Sequence, residues 1–573
     1  MKTGADYIAE QLYSFGVRVA FVFTGGAISA VIDSVSKIGI KIIPYDHELD
    51  ASYAAEGYVR ATSKPAVVLV TSGPGVTNAI TGIAGSWFDS IPVLFITGQV
   101  RSFEKTNFEL NLQNGFQETD VIKSTSHLSK FSKSVEHCTQ IIPALKDAFK
   151  FMLTGRPGPA VLDITMDAQS MIMDDFNIDK SNFEFNDILR KGSLAVNNSS
   201  FKFGYQELLK NITSSKKPVI LIGGGLQWLQ NDLFNKVSKK LEVKVISTYA
   251  GINAINHGNF FYEGMIGPFG HSKANKTLIE ASDLFILGAR VPQRAIPLLS
   301  KKNMKKFLTI KKYVLTVDPK EFINHKFGFI EKIYYGLAYD FLKFVDKKIN
   351  KKAVKVKKGN NKSSVLPKNM FLSIPSKSDY SLNEKNSYSV NLLIDSLNNN
   401  LPKNSNIFVD VGQNAVALAL GLKRVNGERL FSSWANSPMG YSLPASLGAA
   451  LDYRNRKSIC IIGDGGLRTA FSSLPNLKLM KGKVKIILWD NQGYRTIVDH
   501  LEKMLSGRRQ AVTEKSGIPN ISLEKVLLSC DLELLHSKNN LNDDMKLFFN
   551  NSNIDVLVVP IDHSIRMIPN KVL

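Results

Sequence analysis

Only three cysteines occur in 573 residues. Cys138, Cys460 and Cys530 are far apart and form no CxxC pair, which excludes a disulfide framework and a cysteine-based zinc site. Long apolar runs are missing too. No stretch reaches the roughly 18 residues of a membrane span, and Met1 to Glu10 has no apolar signal-peptide core. The expectation is a soluble, cytoplasmic protein. Acidic residues are in the minority, with 50 Asp and Glu against 72 Lys and Arg, a formal net charge of +22. That surplus raises nucleic acid, anionic lipid or an acidic substrate as partners. The densest lysine run, Lys343 to Lys368, is interleaved with Asn, Gly and Ser and not with aromatics, so it reads as a solvated linker and argues against a nucleic-acid or membrane partner.

What is present is enough apolar sequence, 44% of the residues, for several buried cores. Residues 1 to about 172 alternate helix-like and strand-like pieces, with strands expected at Ala66–Val70, Val93–Thr97 and Ala160–Ile164. A polar, Asn-rich stretch from Met171 to about Ser200 reads as a linker. A second unit, 201–345, has Pro218–Ile222 running into Gly223-Gly224-Gly225, Asp283–Leu287 running into Gly288-Ala289-Arg290, and Val314–Val317 ending at Asp318. A third, 385–573, has strands at Ile407–Val411, Ser458–Ile462, Val484–Trp489 and Asp555–Val559. Strand, glycine turn and helix in this order predict an α/β protein of three consecutive parallel-sheet domains. The glycine clusters after strands fit nucleotide sites, and fit tight strand-to-helix turns equally well.

The most informative segment is 463–493. Gly463-Asp464-Gly465-Gly466 follows one expected strand, and Trp489-Asp490-Asn491-Gln492-Gly493 closes the next. Parallel sheets bind ligands at the carboxyl ends of their strands, and the glycines leave room there for a phosphate. Asp464, Asn491 and the carbonyl of Gly493 supply three oxygens, and two phosphate oxygens and a water would complete an octahedral shell for Mg²⁺. A Gly-Asp-Gly triplet alone is an ordinary turn; the downstream Asn at this spacing makes the pair a candidate metal-diphosphate clamp.

The spacing from Asp464 to Asn491 resembles the thiamine diphosphate (ThDP) signature, and most of the chain is similar to ThDP-dependent enzymes of the acetolactate synthase type. Thr71-Ser72-Gly73-Pro74-Gly75-Val76-Thr77-Asn78, Ile96-Thr97-Gly98-Gln99, Gly115-Phe116-Gln117-Glu118, Gly155-Arg156-Pro157-Gly158-Pro159, Val411-Gly412-Gln413-Asn414 and Met439-Gly440-Tyr441-Ser442-Leu443-Pro444 carry the likeness. The resemblance implies pyrimidine-binding, central and diphosphate-binding domains, with ThDP and Mg²⁺ as cofactors. It implies that Glu48, in His47-Glu48-Leu49, hydrogen-bonds a ring nitrogen of the aminopyrimidine. By the same likeness Gly26, in Thr24-Gly25-Gly26-Ala27, and Pro74 and Asn78 belong to the pyrimidine side. Met439 wedges the cofactor into a bent shape, and Ser437 offers a carbonyl. Gln413, Asn414, Gly465 and Gly466 reach the diphosphate. Phe116 and Gln117 match the acceptor side of the active site, and Lys130 matches a lysine of the same family segment.

Joining two carbons is the implied chemistry, since the His-His pair of simple pyruvate decarboxylases is missing. The substrates expected are a 2-oxoacid, with pyruvate first, and a carbonyl acceptor. The chain departs from the family at Thr24, where a proline is usual, at Tyr45-Asp46, where an arginine is usual, at Asp490, the first position of an Asn pair, in a longer Phe103–Asn114 stretch, and in the basic segment Arg495–Arg509. These departures leave open a nucleotide-linked keto sugar as acceptor, with Arg495, Arg508 and Arg509 as anion contacts or as a solvated basic face. FAD is a further candidate cofactor for the middle domain, through Arg290, Arg294 and Asp318, with Gly223–Gly225 and Met265 at compatible places and Phe269 where the family often has histidine; a vacant, structural middle domain is the alternative. The family architecture places Glu48 and Asp464 together only across a dimer interface, which makes a homodimer or homotetramer the expected assembly.

Overall fold

Runs of three to seven residues, rich in β-branched and aliphatic side chains, form the strands of three six-stranded parallel sheets. The computed structural model describes residues 1–173, 178, 184–191, 198–229, 231–323, 328–349, 387–452, 455–519, 521–567 and 569. In the first sheet the strands lie in the order Lys41–Pro44, Val19–Val22, Val67–Val70, Leu94–Gln99, Ala160–Thr165, Phe131–Val135. The third repeats that order with Arg429–Phe431, Asn406–Val409, Ser458–Gly463, Val484–Asp490, Val556–Pro560 and Leu534–His536. The middle sheet differs, running Tyr262–Met265, Lys244–Ser247, Pro218–Ile222, Asp283–Leu287, Lys311–Thr316, Lys332–Tyr335, the doubly wound order of dinucleotide-binding domains. The expected α/β class with three parallel sheets is borne out.

The stretch 171–200 carries structure where it is described. Ile172–Met173 pairs antiparallel with Lys2–Thr3, and the helix Phe185–Lys191 buries Phe185 and Leu189 in the core of the first domain. The helix Asn198–Ser214 then opens the middle domain. Of the lysine-rich run, Lys343, Lys347 and Lys348 end the helix Ala338–Lys348, and residues 350–386 lie outside the described residues.

The element that ties the first domain to the third is the helix Glu48–Thr62. His47 caps it by accepting the Leu49 N–H, Glu48 and Asp50 sit in its first turn and Arg60 in its last, each at the end its charge favours. Its alanines and Gly57 lie against the helix Ser442–Ala449. A Cβ on Gly57 would come within 2.0 Å of the Ala445 carbonyl oxygen, and one on Gly448 within 1.9 Å of that of Ala54. Two glycines thus let the backbones meet. Around that crossing Tyr53, Phe408, Phe431 and Tyr441 form a small apolar cluster, and the core of the first domain continues into Leu443, Leu447, Cys460 and Ile462 of the third.

Candidate functional site

The strand Ser458–Gly463 ends where the helix Asp464–Thr469 begins, so Asp464 stands at a sheet edge and in a first helical turn at once. Its Oδ2 accepts the Gly493 N–H at 2.7 Å. The strand Val484–Asp490 ends in a tight turn whose Asp490 carboxylate accepts the Gln492 N–H at 3.2 Å. Gln492 is left-handed (φ 59°), and at Gly493 (φ 122°) a Cβ would lie 2.5 Å from the Val512 carbonyl oxygen, so only glycine fits there. Asn491 donates its amide N–H to Gln413 Oε1 at 3.4 Å. Its own oxygen then lies 3.1 Å from the Gly493 carbonyl and 3.1 Å from Asp464 Oδ1. Turned over, the amide would donate to both. In the first orientation three oxygens come together as a hard divalent cation requires. Burial and the neighbouring Asp490 push the Asp464 carboxyl up to about 6, and burial raises Asp490 as well. A cation among them would reverse that shift.

Opposite this turn, Gly412 (φ 127°) leads into the helix Gln413–Gly421. Gln413 donates to Asp499 Oδ2 at 3.2 Å and to the Ile565 carbonyl at 3.3 Å. The Asn414 amide nitrogen is buried with no partner among the described residues, the sort of orphan donor a phosphate oxygen satisfies. Ser437 (φ 52°) and half-buried Met439 follow the strand Arg429–Phe431. The room beside Gly465 and Gly466 is already taken: a Cβ would meet the Tyr494 ring at 2.4 Å and the Asp410 carboxylate at 2.0 Å. Gln413, Asn414, Ser437, Met439, Asp464, Gly465, Gly466, Asn491 and Gly493 all line one cavity of about 1380 Å³.

The first-domain candidates do not line it. Glu48 is 2% exposed, and its Oε2 accepts the Asn78 amide N–H at 3.0 Å. It opens the helix Glu48–Thr62. Pro74, Asn78 and Gly26 are exposed around it. Gln117 (φ 62°) packs its Cβ region on Gly73, and Phe116 is 86% exposed. Glu118 organises that loop by accepting the N–H groups of Thr106, Asn114 and Gly115. Lys130 lies instead by Gly158 and the Asp318 charge, at the border with the middle domain.

The same cavity runs into the middle domain, where Gly224, Gly225, Phe269, Arg290 and Asp318 line it. Arg290 donates to the Phe88 carbonyl at 2.7 Å. Met265 is fully buried away from the cleft, and the side chain of Arg294 lies outside the described residues. At Gly223 a Cβ would sit 2.4 Å from Ala289, and at Gly225 2.9 Å from Gly288. Packing of strand against turn therefore accounts for those glycines.

Two acids that the motifs did not single out shape the cavity wall. Asp410 accepts the N–H groups of Gly440 and Ser442 at 2.9 and 3.2 Å, and burial lifts its carboxyl to about 7. Asp89 accepts those of Trp434 and Ala435 at 2.9 and 3.2 Å and the Arg60 guanidinium at 2.6 Å. An acid just after a strand and just before Gly412 was a readable signal for Asp410; nothing local marks Asp89, whose partners Trp434 and Ala435 are over 340 residues away in the chain. Of the basic segment, Arg495 spends its donors on backbone carbonyls, Arg509 pairs with Glu502, and Arg508 is exposed.

Comparison with known proteins agrees with this geometry. Three family models match: the N-terminal TPP binding domain of the thiamine pyrophosphate enzymes over residues 2–124, their central domain over 205–328, and their C-terminal TPP binding domain over 410–559. The chain is 27% identical to the acetolactate synthase large subunit of Lactococcus lactis, covering 99% of this chain and 94% of that one. It is 29% identical to the probable acetolactate synthase large subunit of Methanococcus aeolicus, covering 99% and 93%. With the isozyme 2 large subunit of Escherichia coli it shares 28% identity over 85% of this chain and 83% of the relative.

Proposed function

The chain belongs to the thiamine pyrophosphate enzyme family and is acetolactate synthase-like, and on that premise we propose that it takes the acyl unit of pyruvate, with loss of carbon dioxide, to a carbonyl acceptor with the help of Mg²⁺. ThDP, when bound, supplies the electron sink for decarboxylation of a 2-oxoacid. The protein holds it and decides what the acyl unit meets. The observation that carries the reading is the meeting of the Asp464 carboxylate, the Asn491 side-chain amide and the Gly493 carbonyl beside the partnerless Asn414 amide, in one cavity at the carboxyl edge of a parallel sheet. Asp464, Asn491 and the Gly493 carbonyl would hold the cation, Gln413 and Asn414 the diphosphate end, and Met439 with the Ser437 carbonyl the bend between the rings. Glu48, steadied by Asn78, would share a proton with the pyrimidine through a carboxylate oxygen.

Glu48, Pro74, Asn78, Phe116 and Gln117 are absent from the wall of the cavity that Asp464 lines. That separation supports a homodimer, alone or paired into a tetramer, in which the first domain of one copy faces the third domain of the other. A nucleotide-linked keto sugar is the second reading for the acceptor. Its support is the reach of the cavity into the middle domain and the presence of His500 and Lys503 on its wall. For FAD the fit is partial: Arg290 and Asp318 line the cleft, but the glycine cluster packs on its own backbone. We assign FAD no part in the reaction, and the absorption spectrum of the purified protein near 450 nm, a region where free flavins absorb at roughly that wavelength, tests its presence.

The deciding experiment incubates the full-length protein with ThDP, Mg²⁺ and pyruvate, with and without 2-oxobutyrate or a nucleotide keto sugar, and identifies products by mass spectrometry. Acetolactate or acetohydroxybutyrate is expected for a synthase, and a sugar adduct for the second reading. Acetaldehyde as sole product would overturn carboligation.

A further inference from the structure

Arg495 stands where the basic segment begins, in the first turn of the helix Arg495–Met504. A cation there opposes the helix dipole, and its guanidinium is half-buried, which lowers its pKa. Two strong contacts offset that cost. Its Nε donates to the Asn491 carbonyl at 2.6 Å and its Nη2 to the Gln492 carbonyl at 2.8 Å. Three consecutive carbonyls therefore leave the turn 491–493 in sorted directions. The first two are gripped by one planar, rigid fork, and the third, that of Gly493, accepts the Arg495 backbone N–H at 2.9 Å and lies 3.1 Å from the Asn491 side-chain amide. The grip also spans the strained link of the turn, the left-handed Gln492 and the Gly493 whose φ is 122°.

We propose that Arg495 is a positioning residue for the metal clamp: by holding the Asn491 and Gln492 carbonyls it aims the Gly493 carbonyl and the Asn491 amide at the cation, and it is not an anchor for an anionic substrate. The inference rests on the ThDP–Mg²⁺ reading of the site. It makes a prediction opposite in sign to simple electrostatics, in which removing a positive charge near Asp464 would tighten cation binding.

The test measures Mg²⁺ binding to the full-length protein at saturating ThDP by titration calorimetry, in wild type, Arg495→Ala and Arg495→Lys. Partners outside the ligand set that orient metal ligands affect metal affinity by about 10- to 100-fold. Arg495→Ala is expected to weaken Mg²⁺ binding at least about tenfold while the melting temperature of the cofactor-free protein holds. Arg495→Lys keeps the charge but offers a single point donor, and should fall between the two. At saturating Mg²⁺ the KM for the 2-oxoacid should match wild type. Unchanged or tighter Mg²⁺ binding in Arg495→Ala overturns the proposal, as does wild-type affinity in Arg495→Lys, which decides the matter alone should the alanine variant fail to fold. Wild-type protein that shows no Mg²⁺-dependent ThDP binding would instead overturn the clamp itself, before any variant is compared.

Discussion

At the scale of single residues, buried Glu48 and half-buried Asp464 are both carboxyls at helix starts, yet their substitutions should fail differently. Glu48→Gln keeps the shape of the side chain and its place beside Asn78, and removes only the exchangeable proton. Turnover should fall by about 10²-fold or more, the usual worth of a positioned acid-base group, while calorimetry shows ThDP and Mg²⁺ still bound. Surviving turnover would end the role given to Glu48. Asp464→Ala removes a charged oxygen from the clamp and the acceptor of the Gly493 N–H. ThDP affinity itself should collapse, and an unchanged affinity would refute the clamp. Asp464 was legible because it stands inside a motif whose spacing is set by one strand, one turn and one helix, and Glu48 through the family resemblance that His47-Glu48-Leu49 carries. Asp89 was not, because what it does is accept N–H groups from a loop that only folding brings to it, and Asp410 carried only a local signal of its position, not of the Gly440 and Ser442 N–H groups it accepts.

At the scale of elements, the crossing of Glu48–Thr62 with Ser442–Ala449 depends on two missing methyl groups. Gly448→Ala would push a Cβ into the Ala54 carbonyl, backbone that cannot step aside, at a cost of about 1–3 kcal/mol, as for other overpacked cores. The melting temperature should drop, with ThDP affinity falling alongside because the moved helix carries Glu48. A second junction, between the middle and third domains, contains two buried histidines. The His257 ring donates to the Leu422 carbonyl, and His271 Nε2 donates to the Leu420 carbonyl while its Nδ1 accepts the Met265 N–H. Burial, and the Arg424 charge beside them, hold both below the usual imidazole range, with His271 near about 4. Lys423 adds a further positive charge at His257. Because the folded pKa lies below the unfolded value, stability from this pair is complete above about pH 6.5 and is lost as pH falls toward about 4. His271 alone accounts for about 3 kcal/mol of that loss. Melting temperature measured from about pH 7.5 down to about pH 5 should decline, and the slope should flatten in His271→Gln. An equal slope in that variant would remove the histidine from the explanation.

At the scale of the whole molecule, the two acids that the proposed function brings to one centre do not line a common cavity within one chain. Glu48 is buried beside Asn78 in the first domain, where Pro74, Asn78 and the 86% exposed Phe116 are open to solvent, while the Asp464 cavity reaches into the middle domain. In a closed twofold assembly each site would draw one half from each copy. Co-expressed Glu48→Gln and Asp464→Ala chains should then form hybrids in which one site carries both defects and the other neither. Recovered activity of about a quarter of wild type is expected for random pairing of two copies, against almost none for either variant by itself. No recovery in purified hybrids would show that each chain uses its own Glu48.

The order of strands, turns and helices, and with it the three α/β units, was determined by the sequence itself, because strand runs, glycine turns and capping residues act over neighbours a few residues apart. The motif residues of the clamp were determined in the same way. Only the tertiary structure decided that the glycines at 465 and 466 make room for Tyr494 and Asp410, and that those at 57 and 448 exist for a helix crossing. Each of these is a contact between side chains or backbones distant in sequence, selected by shape and burial after the elements pack, and no local pattern encodes it.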